Sequence, residues 1–135
     1  MRVLVATEDP AERDLIAEAL SARRDVSKVL VPRDGVEAYL AIRQHTPDLA
    51  IVSARLDRID GIVLVRTLVR SPTFRSRTIL ILDQRCHERV REALDARPSG
   101  IIVRPFDAVT FIDRVGLVLA LEAPAPRSVA AVAKI

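Results

Sequence analysis

The chain has 135 residues, 50% of them hydrophobic and 29% charged, with a formal net charge of +3. That balance excludes a disordered chain, and one domain of this length buries a real core. The apolar run near the N-terminus is only four residues long and the single cysteine is Cys86, which argues against a signal peptide, a membrane span and an internal disulfide, and for a reducing cytoplasmic setting.

Five short apolar runs recur: Val3–Ala6, Val29–Val31, Leu49–Val52, Ile79–Leu82 and Ile101–Val103. They are rich in β-branched residues and mostly lack apolar/polar alternation, as parallel strands covered on both faces do. Helix-period segments lie between them and after the last. Strict βα alternation predicts an open parallel sheet with right-handed crossovers, and five such units suit an α/β, flavodoxin-like three-layer (βα)5 fold with a five-stranded parallel sheet of order 2-1-3-4-5. The functional site of such a sheet lies at the carboxyl ends of its strands. The expected domain spans 1–122, and 123–135 reads as a Pro/Ala-rich tail.

The first helix opens on Asp9 as cap, Pro10 at the first helical position and Glu12 completing a capping box, with Leu15, Ile16, Ala19 and Leu20 as its apolar face. The second follows Asp34-Gly35 and carries Val36, Tyr39 and Leu40. The third runs from Gly61 to Arg70 with Ile62, Val65, Leu68 and Val69. The fourth, about Cys86 to Arg97, is weakly amphipathic through Val90, Ala93 and Leu94 and rich in mixed-sign pairs. The fifth, about Asp107 to Glu122, has a stripe of Val109, Ile112, Val115 and Leu119 around Gly116. Phe111 and Val118 flank that stripe, while Leu117 and Leu121 point away from it. These four residues are predicted as an interface.

Four segments, in register, resemble bacterial response-regulator receiver domains from Arg2 to Leu121: VLVATEDP, RDGVEAYLAI, PDLAIVS with IDG downstream, and IIVRPF. What this resemblance implies is a site of five strand-end groups. Two acids after strand one help hold Mg²⁺, an aspartate after strand three accepts a phosphoryl group, and a hydroxyl residue and a lysine contact its oxygens. Here Thr7 and Glu8 stand at the two acidic positions, Ser53 at the acceptor, Asp83 at the hydroxyl position and Arg104 at the lysine, with Pro105 following. Ile101 stands at the aromatic switch position. Asp57 lies four residues beyond Ser53 and is not read as a displaced acceptor.

The consequence follows from charge. One carboxylate and two hydroxyls stand where three carboxylates are implied, so Mg²⁺ binding is expected to be weak or absent and no other cofactor is implied. Ser53 lacks a placed histidine to activate its hydroxyl. An Asp83–Arg104 or Glu8–Arg104 ion pair is expected to fill the pocket. Neighbouring Cys86 and His87, with His45 far away, match no zinc spacing. No glycine-rich phosphate loop occurs.

The expected function is therefore that of a pseudo-receiver, a phosphorylation-independent signalling adaptor rather than an enzyme. It would act by contact with a protein partner, such as a signalling protein or histidine kinase, or as a homodimer through helix four, strand five and helix five. The alternative is an anionic-ligand or nucleic-acid module using the Arg75–Arg104 segment, where Arg75, Arg77, Arg85, Arg89, Arg91, Arg97 and Arg104 cluster. Interspersed acids, near-absence of aromatics and no helix-turn-helix signature argue against nucleic acid.

Overall fold

The computed structural model describes residues 1–121, apart from the side chains of 85–87. Five strands alternate with helices: β1 Arg2–Ala6, α1 Pro10–Ser21, β2 Lys28–Leu30, α2 Gly35–His45, β3 Leu49–Ser53, α3 Gly61–Arg70, β4 Arg77–Asp83, a 3₁₀ segment Gln84–Arg89 running into α4 Val90–Asp95, β5 Gly100–Arg104 and α5 Ala108–Ala120. The sheet is parallel, in the order β2-β1-β3-β4-β5, as the alternation predicts. The 123–135 tail lies outside the described residues. No helix among the described residues is long and apolar enough to cross a membrane.

The pleat sends alternate side chains to opposite faces. Leu4, Ala6, Ala50, Val52, Leu80 and Leu82 face α2, α3 and α4. Val3, Val5, Leu49, Ile51, Ile79, Ile81 and Ile102 face α1 and α5. Both faces are buried, so the central strands read as unbroken apolar runs.

Four helices start alike. Asp9, Asp34, Asp60 and Asp107 cap α1, α2, α3 and α5, each carboxylate accepting from backbone N–H groups of the first turn. These starts share one pole with the strand ends, because each right-handed crossover returns from there. Gly61 brings α3 hard against β3, where a Cβ would lie 1.7 Å from the Ser53 carbonyl oxygen. Its N–H donates to the Ala54 carbonyl at 3.0 Å.

Three apolar faces read from sequence are corrected. In α5 the buried residues are Phe111, Val115 and Val118, whereas Val109 is 70% exposed. Apolar residues cover most of that helix's circumference, so periodicity alone leaves the phase open, and the approach to β4 and β5 decides it. Phe111 and Val118 are core residues, not surface ones, while Leu117 and Leu121 remain exposed. In α2 the buried positions are Gly35, Ala38 and Ile42, with Leu40 outward. The expected fourth helix is a 3₁₀ segment and a six-residue helix without a side-chain cap; it buries Ala93 and leaves Val90 and Leu94 exposed.

Candidate functional site

The carboxyl ends of β1, β3 and β5 bring Thr7, Ser53 and Arg104 together, and the first turn of α1 adds Glu12. Ser53 closes β3 and is fully buried, and Thr7 is 4% exposed just past β1. Arg104 closes β5 ahead of a cis peptide to Pro105.

Arg104 organises the pocket. Its Nε donates to Glu12 Oε1 at 2.6 Å and its Nη2 to Glu12 Oε2 at 2.7 Å. Nη2 also donates to Ser53 Oγ at 3.0 Å and reaches Glu8 Oε1 at 3.4 Å. The guanidinium is held above its ordinary pKa, first by the Glu12 hydrogen bonds, which overcome the opposing effect of burial, and then by the charges of Glu12, Glu8 and Asp83. Such a two-pronged pair is shorter and stronger than a neutral hydrogen bond. Breaking one that is buried leaves an uncompensated charge and costs about 3–5 kcal/mol.

Glu12 is the residue that sequence reasoning misplaced. Its capping-box position predicts a carboxylate turned back to the backbone of Asp9. Instead its side chain, 8% exposed, points into the pocket. The Thr7 hydroxyl donates to Glu12 Oε2 at 2.6 Å and accepts from the Asp9 N–H at 3.3 Å. Thr7 thus serves the cap in place of Glu12 and ties β1 to the pair. The Glu8–Arg104 contact expected from sequence is present as the longest of these bonds. Asp83 is the register partner of Arg104 across β4 and β5.

A second ion pair joins the same pole to α4. The Arg89 Nη1 and Nη2 donate to the two carboxylate oxygens of Asp60 at 2.8 and 2.7 Å, and Nε and Nη2 both reach Glu92 at 3.1 Å. Arg89 is held above its ordinary pKa by the hydrogen bonds to Asp60 and then Glu92. Burial alone would raise the Asp60 pKa, but the Arg89 hydrogen bond and the N–H groups of Val63 and Ile62 bring it below the ordinary range. Of the Arg75–Arg104 cluster, Arg89 and Arg104 are therefore spent on carboxylates. Arg77 donates to the Leu121 carbonyl at the end of α5, its Nε at 3.1 Å.

Residues 3–116 match the family model described as response regulator receiver domain. The response regulator MprA of Mycobacterium sp. (strain KMS) is 31% identical over 125 residues, covering 92% of this chain and 53% of that protein. Regulatory protein VirG of Rhizobium rhizogenes is 31% identical over 118 residues, covering 87% of this chain and 47% of that protein. This chain thus spans about half the length of the curated relatives it matches. Among solved structures, the BeF3-activated N-terminal receiver domain of Klebsiella pneumoniae RstA superposes with a TM-score of 0.77 at 23% identity, covering 90% of this chain and 100% of that one, a likeness that bears on the fold.

Proposed function

The chain belongs to the response regulator receiver domain family, and from that premise we propose that it is a pseudo-receiver, a signalling adaptor that works by protein–protein contact without being phosphorylated. The observation that carries this reading is the place of the Arg104 guanidinium. It bonds the hydroxyl of Ser53, at the position the family resemblance gives to the acceptor aspartate, and its charge is already matched by Glu12.

The donor set does not fit Mg²⁺. That cation requires near-octahedral oxygen ligands, with carboxylates foremost. Here the hydroxyls of Thr7 and Ser53 are engaged with Glu12 and Arg104, the Glu8 carboxylate reaches Arg104, and a resident guanidinium repels a second cation. Ser53 is likewise a poor nucleophile. Its oxygen accepts from a cation, which withdraws electron density from it, where activation calls for a base.

The contact surface is assigned to α4, β5 and α5, now on different residues. Phe111 and Val118 drop out as core. Leu117 and Leu121 stay, and Val90, Leu94 and Val103 join them as exposed large apolar side chains. A second copy of the chain or a signalling protein such as a histidine kinase is the partner proposed. The anion-binding alternative is weakened because Arg77, Arg89 and Arg104 serve internal contacts, leaving Arg75, Arg91 and Arg97 exposed among the described side chains of the cluster.

Intact-mass measurement after incubation with Mg²⁺ and acetyl phosphate, beside an ordinary receiver, tests the core of the proposal. No mass gain is expected. A phosphoryl adduct on this chain would overturn it. A salt-dependent shift with RNA or a cyclic dinucleotide, lost in Arg91→Glu, would favour the alternative.

A further inference from the structure

Three donors converge on one carboxylate at the strand ends: the Nε and Nη2 hydrogens of Arg104 and the hydroxyl of Thr7 all go to Glu12. The donors come from β1 and β5, and the acceptor from α1, 92 residues away from Arg104 in the chain. This is the anatomy of a carboxylate-binding site, with a cationic fork on one edge and a neutral hydroxyl on the other. Its occupant is a side chain of the protein itself. The site has a solvent approach, an open cleft between α1 and the turn after β5, lined in part by Leu15, Pro105 and Phe106.

We infer that Thr7 and Arg104 form an anion site selective for carboxylates, and that Glu12 is its built-in ligand, latching α1 to the end of β5. The inference deepens the proposed function, since it names what takes the place of an incoming anion. Geometry supports selectivity: the fork presents two parallel N–H groups that match two carboxylate oxygens, and the Thr7 hydroxyl fits the further lone pair of one of them. A spherical anion such as chloride meets only part of that set.

Vacating the site should therefore turn it into a receptor. In Glu12→Ala, the carboxylate is lost while its three donors remain. The midpoint of thermal unfolding should fall by about 10 °C, as expected when a buried pair is broken. Acetate should then raise the midpoint saturably, and chloride at matched ionic strength should not. Glu12→Gln keeps the volume filled but removes the charge, so it should be destabilised and gain nothing from acetate. Adding Thr7→Val to Glu12→Ala should weaken the acetate response several-fold.

If Glu12→Ala loses stability with no acetate response, Glu12 is only a packing or helix-start residue, and the inference fails. It fails equally if stability is unchanged. Should Glu12→Ala not fold, the Arg104 Nε–H in the unaltered protein decides: slow exchange with water supports the latch, and rapid exchange overturns it. These readouts do not depend on phosphodonor, so they stand apart from the mass test of the proposed function.

Discussion

Asp60 and Arg89 form a two-pronged ion pair at 2.8 and 2.7 Å across 29 residues of chain. The pair fastens the 3₁₀ segment before α4 to the start of α3. Asp60 does two things at once, because one of its oxygens also caps α3 through the N–H groups of Ile62 and Val63 at 3.1 and 3.3 Å.

Removing Arg89 should loosen α4 and leave the sheet intact. Arg89→Ala is expected to cost about 1–2 kcal/mol in urea unfolding, the range for a charged hydrogen-bonded contact that is partly solvated. Amide exchange across Gln84–Asp95 should accelerate, while β3 and β4 stay protected. Arg89→Lys should recover little, since a point charge cannot span both oxygens. Asp60→Ala should cost more than Arg89→Ala, because it also removes the cap. Equal exchange rates in Arg89→Ala and the parent would refute the fastening role.

The same pair has a signature in acid. The folded-state pKa of Asp60 lies below its ordinary value, so the ionised form favours the fold. Its contribution is fully present above the ordinary aspartate range and is lost as pH falls through the lower folded value. Stability of the parent protein should decline through this acidic window. Arg89→Ala should show a shallower decline there, measured as unfolding free energy against pH. A parallel curve would exclude Asp60 as a source of the slope.

Two glycines should respond to alanine with opposite signs. At Gly61 the added methyl would collide with the Ser53 carbonyl, which is fixed backbone. A loss of about 3 kcal/mol is expected, from overpacking that backbone cannot relieve. At Gly116, inside α5, a Cβ meets nothing within 4 Å. Alanine there should stabilise by about 1 kcal/mol through helix propensity alone. Thermal midpoints of the two variants, read beside the parent, check both signs; stabilisation by Gly61→Ala would contradict the close approach of α3 to β3.

Phe111 and Leu117 separate core from surface on one helix. Phe111 is fully buried and stacks on Phe106 with ring centroids 5.9 Å apart. Phe111→Ala should cost about 3–5 kcal/mol. Leu117, 64% exposed, should tolerate Glu within about 0.5 kcal/mol. If the α4–β5–α5 face is the contact surface, Leu117→Glu should weaken self-association or partner capture without lowering stability. Unchanged association, measured by analytical ultracentrifugation and partner pull-down, would count against that face.

Much of the architecture was legible because its signals are local. The β-branched runs mark buried strands, and Asp9, Asp34, Asp60 and Asp107 mark helix starts through a bond made within three residues. The parallel sheet followed from the regular βα alternation and the handedness of its crossovers, and five such units suit the flavodoxin-like order that the structure has. The strand-end cluster of Thr7, Ser53 and Arg104 was legible through the family resemblance, whose motifs mark those strand-end positions. Glu12 was not. Its local signal, an acid three residues past a cap, has an ordinary explanation that the sequence alone favours. The phase of α5 was hidden because too many of its residues are apolar to mark one face.

The sequence by itself thus determined the element order, the parallel run of the strands and which residues stand at the strand ends, because those depend on period, capping and chain direction. Only the tertiary structure decided that Arg104 pairs chiefly with Glu12, that Arg89 closes on Asp60, and that Phe111 belongs to the core. Each of these depends on which side chains meet across the sheet or between layers. A guanidinium selects among several nearby carboxylates by distance and angle, and those are set only when β1, β5 and α1 are packed together.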